Sequence, residues 1–316
     1  IKKKKCLSNL YHLISNLSFM LIVKYRKIFY ALSLVLLALS VFAIVRYGLN
    51  LGTDFIGGTL LEVKYEEGRP ELEELNSAVL DLELGSILIQ PTGEQNYTLK
   101  LRNISETEKE ALFEALTLGG KKAFTQERLS EVGPTLGKEL RNKGVVAITL
   151  VVLLIILYIA FVFRQVSKHH VKSWKYGVAA IVALTHDIII SVGAMALLGH
   201  FSGAEADALF LTALLTILGL SVNDTIVVFD RIRENLHRHP TVKFEEVVGV
   251  SLRETYIRSI NTTVVIIIVL VSLLIWGPAS TYYFALILLI GMVAGTYSSI
   301  FIAPNILISW EKFGRR

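Results

Sequence analysis

Six stretches of the chain are almost purely apolar: Ile28–Val45, Val145–Phe163, Gly177–Leu198, Ala208–Phe229, Thr262–Trp276 and Tyr283–Trp310. About 20 apolar residues cross the hydrocarbon core of a bilayer, so each stretch reads as a transmembrane helix. Thr262–Trp276 is short unless its helix starts near Tyr256, and Tyr283–Trp310 is long enough to tilt or to bend at Pro304. Ahead of the first span, Leu10, Leu13, Ile14 and Leu17 recur at helical spacing. That spacing suits a short amphipathic helix on the membrane surface, with a disordered tail as the alternative.

The interval 46–144 breaks the pattern, because charge is spread throughout it. Tyr97, Leu99 and Leu101 alternate with Thr98, Lys100 and Arg102, and Leu61, Val63 and Tyr65 alternate similarly, as half-buried strands do. Leu72, Leu75, Val79 and Leu82 follow a helical period behind Pro70, which suits a first turn. Ser105 with Glu108 three residues on predicts a capping box. The predicted order is strand 59–65, helix 70–82, strand 86–90, strand 96–102, helix 105–118, strand 123–132, the β-α-β-β-α-β order of a ferredoxin-like fold. The expected fold class is therefore a polytopic α-helical membrane protein with six transmembrane helices and an inserted α+β ferredoxin-like extracytoplasmic domain. Its parts are a cytoplasmic tail (1–27), the first transmembrane helix (28–45), the inserted domain (46–144), a five-helix bundle (145–310) and a short cytoplasmic tail (311–316).

Composition agrees with the pattern. Hydrophobic residues make up 53% of the 316, and the mean hydropathy is +0.56, more apolar surface than a soluble domain of this size can bury. Charge sets the orientation. Lys24, Arg26 and Lys27 precede the first span, Arg164 to Lys175 separate the second and third, Arg231 to Arg258 separate the fourth and fifth, and Lys312, Arg315 and Arg316 follow the last. The loops His200–Asp207 and Gly277–Tyr282 carry no Lys or Arg. All basic loops thus fall on one side, which places both termini in the cytoplasm and the inserted domain outside. The net charge of +5 resides between spans and is no nucleic-acid signal. The single cysteine, Cys6, excludes a disulfide framework and a thiolate metal site, and lacks a lipidation context. The chain begins at Ile1 rather than Met, and no small-residue cleavage site follows its first apolar run, so that run is read as retained.

Charges inside spans are costly and mark function. Asp224 lies about five residues inside the cytoplasmic end of the fourth span, roughly 8 Å into the helix. It suits a titratable carboxylate in a proton path; the plain alternative is an acid that reaches the near interface. Asn223 precedes it, and Thr212, Thr216, Gly219, Asn223 and Asp230 form a small, polar stripe that should face protein or water. Arg258, with Asn261 and Thr262 beyond it, enters the fifth span at a similar height. It is either the partner that holds Asp224 ionised or a positive-inside anchor. Asp187 sits near mid-membrane in the third span, with His186 beside it and Ser191 one turn on; it relays protons or is a hydrogen-bonded brace. His186 reads as a packed polar residue, since no second His or carboxylate stands at metal spacing. The inserted domain has no His and no Ser-His-Asp set, so it is expected to bind or move rather than catalyse. The glycine-rich stretch Gly52–Gly58, which includes Asp54 and Gly57, has no Lys and leads into a strand, so it is a tight turn and not a phosphate loop. Gly291 and Gly295 make a GxxxG packing pair.

These residues resemble a known family. The turn Gly52–Gly58 running into Thr59-Leu60-Leu61-Glu62 is similar to the first motif of the SecD/SecF protein-export subunits, which are related to the resistance-nodulation-division exporters. The stretch Gly219–Asn235, with Asn223, Asp224, Asp230 and Arg231, is similar to their most specific motif. His186-Asp187 and Gly295–Phe301 also match, and the resemblance covers about residues 25–310. It implies a role, with no enzyme activity of its own, in coupling the proton-motive force to a late stage of preprotein translocation in the plasma (inner) membrane. The family's intramembrane acid then falls on Asp224 and its arginine, less firmly, on Arg258. Protons are the coupling ion, with no other cofactor. The implied partners are SecD, the SecYEG translocon, YajC and YidC, and an unfolded preprotein. Three other readings compete: half of a proton-driven small-molecule exporter, whose relatives carry larger outer domains; a scaffold that uses no protons; and an intramembrane aspartyl protease, which would need a Gly-x-Gly-Asp context that Asp187 and Asp224 lack.

Overall fold

The computed structural model describes residues 22–162, except 67, 81, 83 and 86, and residues 173–314. The tail helix expected around Leu10–Leu17 lies outside them. The chain divides into two compact units: Asn50–Ala147 with Glu205–Ala208, and the remainder.

In chain order, the first helices are α1 (Arg26–Tyr47), α2 (Thr53–Ile56, a single turn), α3 (Leu72–Leu80), α4 (Glu106–Leu116) and α5 (Pro134–Val162). The strands are β1 (Gly58–Tyr65), β2 (Leu88–Thr92), β3 (Asn96–Leu101) and β4 (Phe124–Val132). The sheet order is β2-β3-β1-β4, and every neighbouring pair is antiparallel. The alternation seen in sequence sets the register: Leu61, Val63 and Tyr65 join Tyr97, Leu99 and Leu101 on one face, packed with Leu75, Val79, Leu112 and Leu116 of the two helices. The opposite face carries Glu62, Thr98 and Lys100.

Elements fall within about two residues of expectation, and the shifts have causes. Helix α3 starts at Leu72 rather than Pro70, because the Pro70 carbonyl accepts the buried Tyr97 hydroxyl (2.8 Å) instead of opening the helix. Strand β2 runs to Thr92 and so takes in Pro91, which an edge strand tolerates. The capping box of α4 is present: Ser105 N donates to Glu108 Oε2 (2.7 Å), and Glu108 N donates to Ser105 Oγ (3.4 Å). Arg102 beside Glu108, aided by the capping bonds, holds that carboxyl at about 2.

Among the described residues, six helices are long and apolar enough to cross a membrane. Beyond α1 and α5 they are α6 (Ser173–Ser202), α7 (Ala208–Arg238), α8 (Phe244–Trp276) and a last span built from α9 (Tyr282–Tyr297), a π-helical turn at Ser298–Ile302 and α10 (Ala303–Gly314). The apolar runs located the spans, but the helices extend past them. Helix α5 begins at Pro134, whose missing N–H and preset φ suit a first helical position. Helix α8 starts at Phe244, well before Thr262, so the short fifth run is the membrane part of a 33-residue helix. The wide turn at Ser298–Ile302 ends two positions before Pro304, which cannot donate to the preceding turn.

Helix α6 packs against α1, α9 and α10. Small residues permit this: Ala179, Ala180 and Ala183 are buried in the cluster with Tyr176, Phe229, Val248 and Leu307. The α1–α6 approach is tight at Gly193, where an added Cβ would lie 2.6 Å from Ser40 Cα.

Candidate functional site

Asp187 and Asp224, two of the three carboxylates buried among the described residues of the membrane unit, lie in different surroundings. Asp187 on α6 is fully buried and tied to two other helical segments. Its Oδ2 accepts from Ser221 Oγ of α7 (2.6 Å) and from Ser298 Oγ at the start of the π turn (2.8 Å). Its Oδ1 lies 2.9 Å from His186 Nδ1. Ser191 donates to the backbone carbonyl of Asp187 (2.8 Å). Gly295 makes room for this: a Cβ there would stand 3.0 Å from Ser221 Cβ and 3.5 Å from Asp187 Oδ2. Gly291, its GxxxG partner, is likewise filled against Ile217 and Ser191. The imidazole of His186 stacks on Tyr297, with centroids 6.1 Å apart, and its buried Nε2 has no hydrogen-bond partner among the described residues.

Asp224 on α7 is 8% exposed, and among the described residues its carboxylate makes no hydrogen bond or ion pair within 4 Å. Arg258 on α8 acts on it electrostatically without contact. Arg258 also lines a cavity of about 380 Å³ with Asp230, Arg231, Glu234, Glu254 and Thr255. Nearby the two helices are joined: Arg231 Nε and Asn235 Nδ2 both donate to Glu254 Oε2 (2.7 Å each), and Arg231 also pairs with Glu234. Asp230 pairs with Arg233 on its own helix (2.8 Å). Next to Asp224, the Thr225 and Ser299 hydroxyls meet (2.8 Å), and Ser299 donates to the Ser221 carbonyl (3.2 Å).

Neighbouring Asn223 and Asp224 lie on different faces of α7. Asn223 is exposed with Thr212, Gly219 and Asp230, whereas Asp224 shares the buried face with Ser221, Thr225 and Val228. Of the polar stripe expected to face protein or water, Thr212, Gly219, Asn223 and Asp230 are therefore exposed and Thr216 is half-buried. Asp187, Asp224 and Arg258 lie on three of the long apolar helices, where the sequence pattern put them. Sequence reasoning missed Ser221 and Ser298 as the cross-helix donors to Asp187. The available signal was the small residues close to Gly295, which allow such an approach.

The turn Gly52–Gly58 belongs to the inserted unit. Gly57 and Gly58 take positive φ (83° and 139°). A Cβ on Gly57 would lie 2.7 Å from Pro134 Cα, and one on Gly58 would lie 2.8 Å from the Leu101 carbonyl oxygen, so both positions need glycine. Asp54 Oδ2 accepts from the Ala208 backbone N–H (3.0 Å).

This geometry is that of a multi-pass membrane protein with an intramembrane acid, an arginine in electrostatic range of it, and a small inserted α+β unit. Residues 113–313 match the family described as protein export membrane protein SecD/SecF, C-terminal, and residues 42–68 match the SecD/SecF GG motif. Protein translocase subunit SecF of Thermobaculum terrenum is 41% identical over 301 residues, covering 92% of this chain and 93% of that protein. The subunit of the same name from Anaerolinea thermophila is 35% identical over 288 residues, covering 90% and 92%. A crystal structure of SecDF from Thermus thermophilus, described as a translocon-associated membrane protein, superposes with a TM-score of 0.77 at 31% identity and 93% coverage of this chain. A super-membrane-facing form of SecDF gives a TM-score of 0.65, also at 31% identity and covering 94% of this chain. The chain spans only 38% and 39% of those two SecDF chains. The chain belongs to the SecD/SecF family of protein-export membrane proteins.

Proposed function

We propose that this chain is the smaller half of a proton-driven export unit, in which protonation of Asp224 moves the bundle at a late stage of preprotein translocation. The observation that carries the reading is the contrast between the buried acids Asp187 and Asp224. Asp187 is saturated with hydrogen bonds and suits a brace. Asp224 has none among the described residues, with a guanidinium in electrostatic range that can hold it ionised and release it on moving away. A carboxyl so placed responds to a proton with little cost in broken bonds.

The other half comes from a SecD-like partner. This is supported by the exposure of Gly219, Asn223 and Asp230 along the polar stripe of α7 and by the SecDF chains, of which this sequence matches little more than a third. The SecYEG translocon, YajC and YidC, and an unfolded preprotein complete the assembly, and protons are the only coupling ion. The inserted unit is read as a ferredoxin-like domain outside the membrane, which the β2-β3-β1-β4 order supports. The absence of Lys and Arg from the two short loops, and their presence in the others, support cytoplasmic termini in a plasma (inner) membrane.

The test is export by cells whose sole copy carries Asp224→Asn, with copurification of the SecD-like partner measured in parallel. Asparagine keeps the shape but cannot ionise. Export at the level of a deletion, with the complex intact, is expected. Unchanged export would remove protons from Asp224 and leave a scaffold.

A further inference from the structure

The short loops that follow α6 and α8 differ. Gly277–Tyr282 belongs wholly to the membrane unit, whereas Glu205–Ala208 belongs to the inserted unit. Those four residues are held from distant parts of the sequence. Ala206 N donates to the Asn50 carbonyl (2.7 Å), and Gly52 N donates to the Ala206 carbonyl (2.8 Å). These bonds accompany a parallel bridge between Leu51 and Ala206. Glu205 Oε1 pairs with Lys100 Nζ of β3 at 2.5 Å, with both side chains largely buried. Asp54 Oδ2 accepts from Ala208 N, the first residue of α7. The turn that presents Asp54 is itself rigid, because Gly57 and Gly58 are jammed against Pro134 and Leu101. Ala208 and Asp224 lie on one continuous helix, 16 positions and so about 24 Å apart.

We propose that Asp54 is a positioning residue. With the Lys100–Glu205 pair it clamps the Ala208 end of α7 to the inserted domain, so that a displacement of α7 begun at Asp224 is delivered to that domain through Ala208. The inference rests on the reading that Asp224 drives the movement, and it makes the glycine-rich turn a rigid seat for the clamp. A helix transmits an axial push or twist over this length because its hydrogen bonds are internal. A loose loop at its end would dissipate the motion, and the polar contacts of Glu205, Ala206 and Ala208 remove that looseness.

The test is hydrogen exchange of the full chain in lipid nanodiscs with its copurified partner, comparing Asp224→Asn with the unsubstituted protein in three backgrounds. With Asp54 present, Asp224→Asn should change exchange in segment 50–65 by about threefold or more. In Asp54→Ala that response should vanish while strands β1 and β3 stay protected. In Asp54→Asn it should persist, because the amide oxygen still accepts from Ala208 N–H. Should Asp54→Ala lose the protection of the sheet, Glu205→Ala, which removes the acceptor of Lys100 Nζ, replaces it with the same criteria. A response undiminished in the Asp54→Ala background, or absent in all three, overturns the proposal. A covalent replacement gives a second check. A Cβ on Gly52 would lie 3.2 Å from Asp207 Cβ, close to the separation a disulfide spans. Gly52→Cys with Asp207→Cys, in a Cys6→Ser chain, should restore the response to Asp54→Ala when oxidised and lose it when reduced; no restoration by the formed bridge counts against the clamp. The Asp224→Asn export assay is separate, so a failure of the proton-driven reading is seen there and a failure of the clamp is seen here.

Discussion

Replacing Asp187 distinguishes a brace from a proton carrier. In Asp187→Ala the Ser221 and Ser298 hydroxyls and His186 Nδ1 lose their common acceptor. The two hydroxyls can turn to backbone: Ser298 Oγ already lies 3.1 Å from the Gly295 carbonyl, and a helical serine reaches the carbonyl one turn back. Each exchange loses about 0.5–1.5 kcal/mol, and the stranded His186 donor costs about 1–3 kcal/mol. The sum is about 2–6 kcal/mol of stability. Asp187→Asn behaves differently: its oxygen accepts from His186, and its amide donates to both serines, so the loss should stay within about 1.5 kcal/mol. Unfolding in mixed micelles with increasing dodecyl sulfate, followed by the fluorescence of Trp174, Trp276 and Trp310, measures both. An Ala variant within about 0.5 kcal/mol of the parent, or an Asn variant as damaged as Ala, would refute the network argument. An Asn variant that is stable yet exports nothing would move Asp187 from brace to proton path.

Three further outcomes are expected. Gly193→Ala should destabilise the bundle by about 1–3 kcal/mol in the same unfolding assay, because the new Cβ meets the Ser40 backbone and the α1–α6 pair must part. Glu108 has its carboxyl depressed, so its contribution to α4 is complete above the ordinary carboxylate range and fades as pH falls toward about 2. Exchange of the α4 amides should quicken between about pH 4.5 and 2 in the parent, and this pH dependence should be lost in Glu108→Gln. Glu62 has the opposite sign: burial pushes its carboxyl up, with the Asn96 bond and the neighbouring Glu127 as lesser influences. Ionisation therefore costs stability as pH rises above the ordinary carboxylate range, and Glu62→Gln should leave the sheet at neutral pH as protected as before or more so.

Whatever depends on local pattern was legible in the amino-acid order. Apolar length located the spans, since bilayer thickness is imposed from outside the protein. Alternation and the Ser105–Glu108 box located strands and caps within about two residues, because side-chain direction alternates along a strand and a cap acts over one turn. The carboxylates Asp187 and Asp224 stood out because a charge in hydrocarbon needs a reason. Packing set the surroundings of each. Ser221, Ser298 and Asp187 come from three separate segments, so only the folded chain brings them together, and only the folded chain leaves Asp224 without a hydrogen bond among the described residues. It also turned Asn223 outward and Asp224 inward, a difference of about 100° around a helix that a shared motif does not reveal. Asp54 is the plainest case. In sequence it is one polar residue in a glycine-rich turn. Its partner, Ala208, lies 154 residues away, and a backbone N–H leaves no mark on sequence by which that pairing could be read.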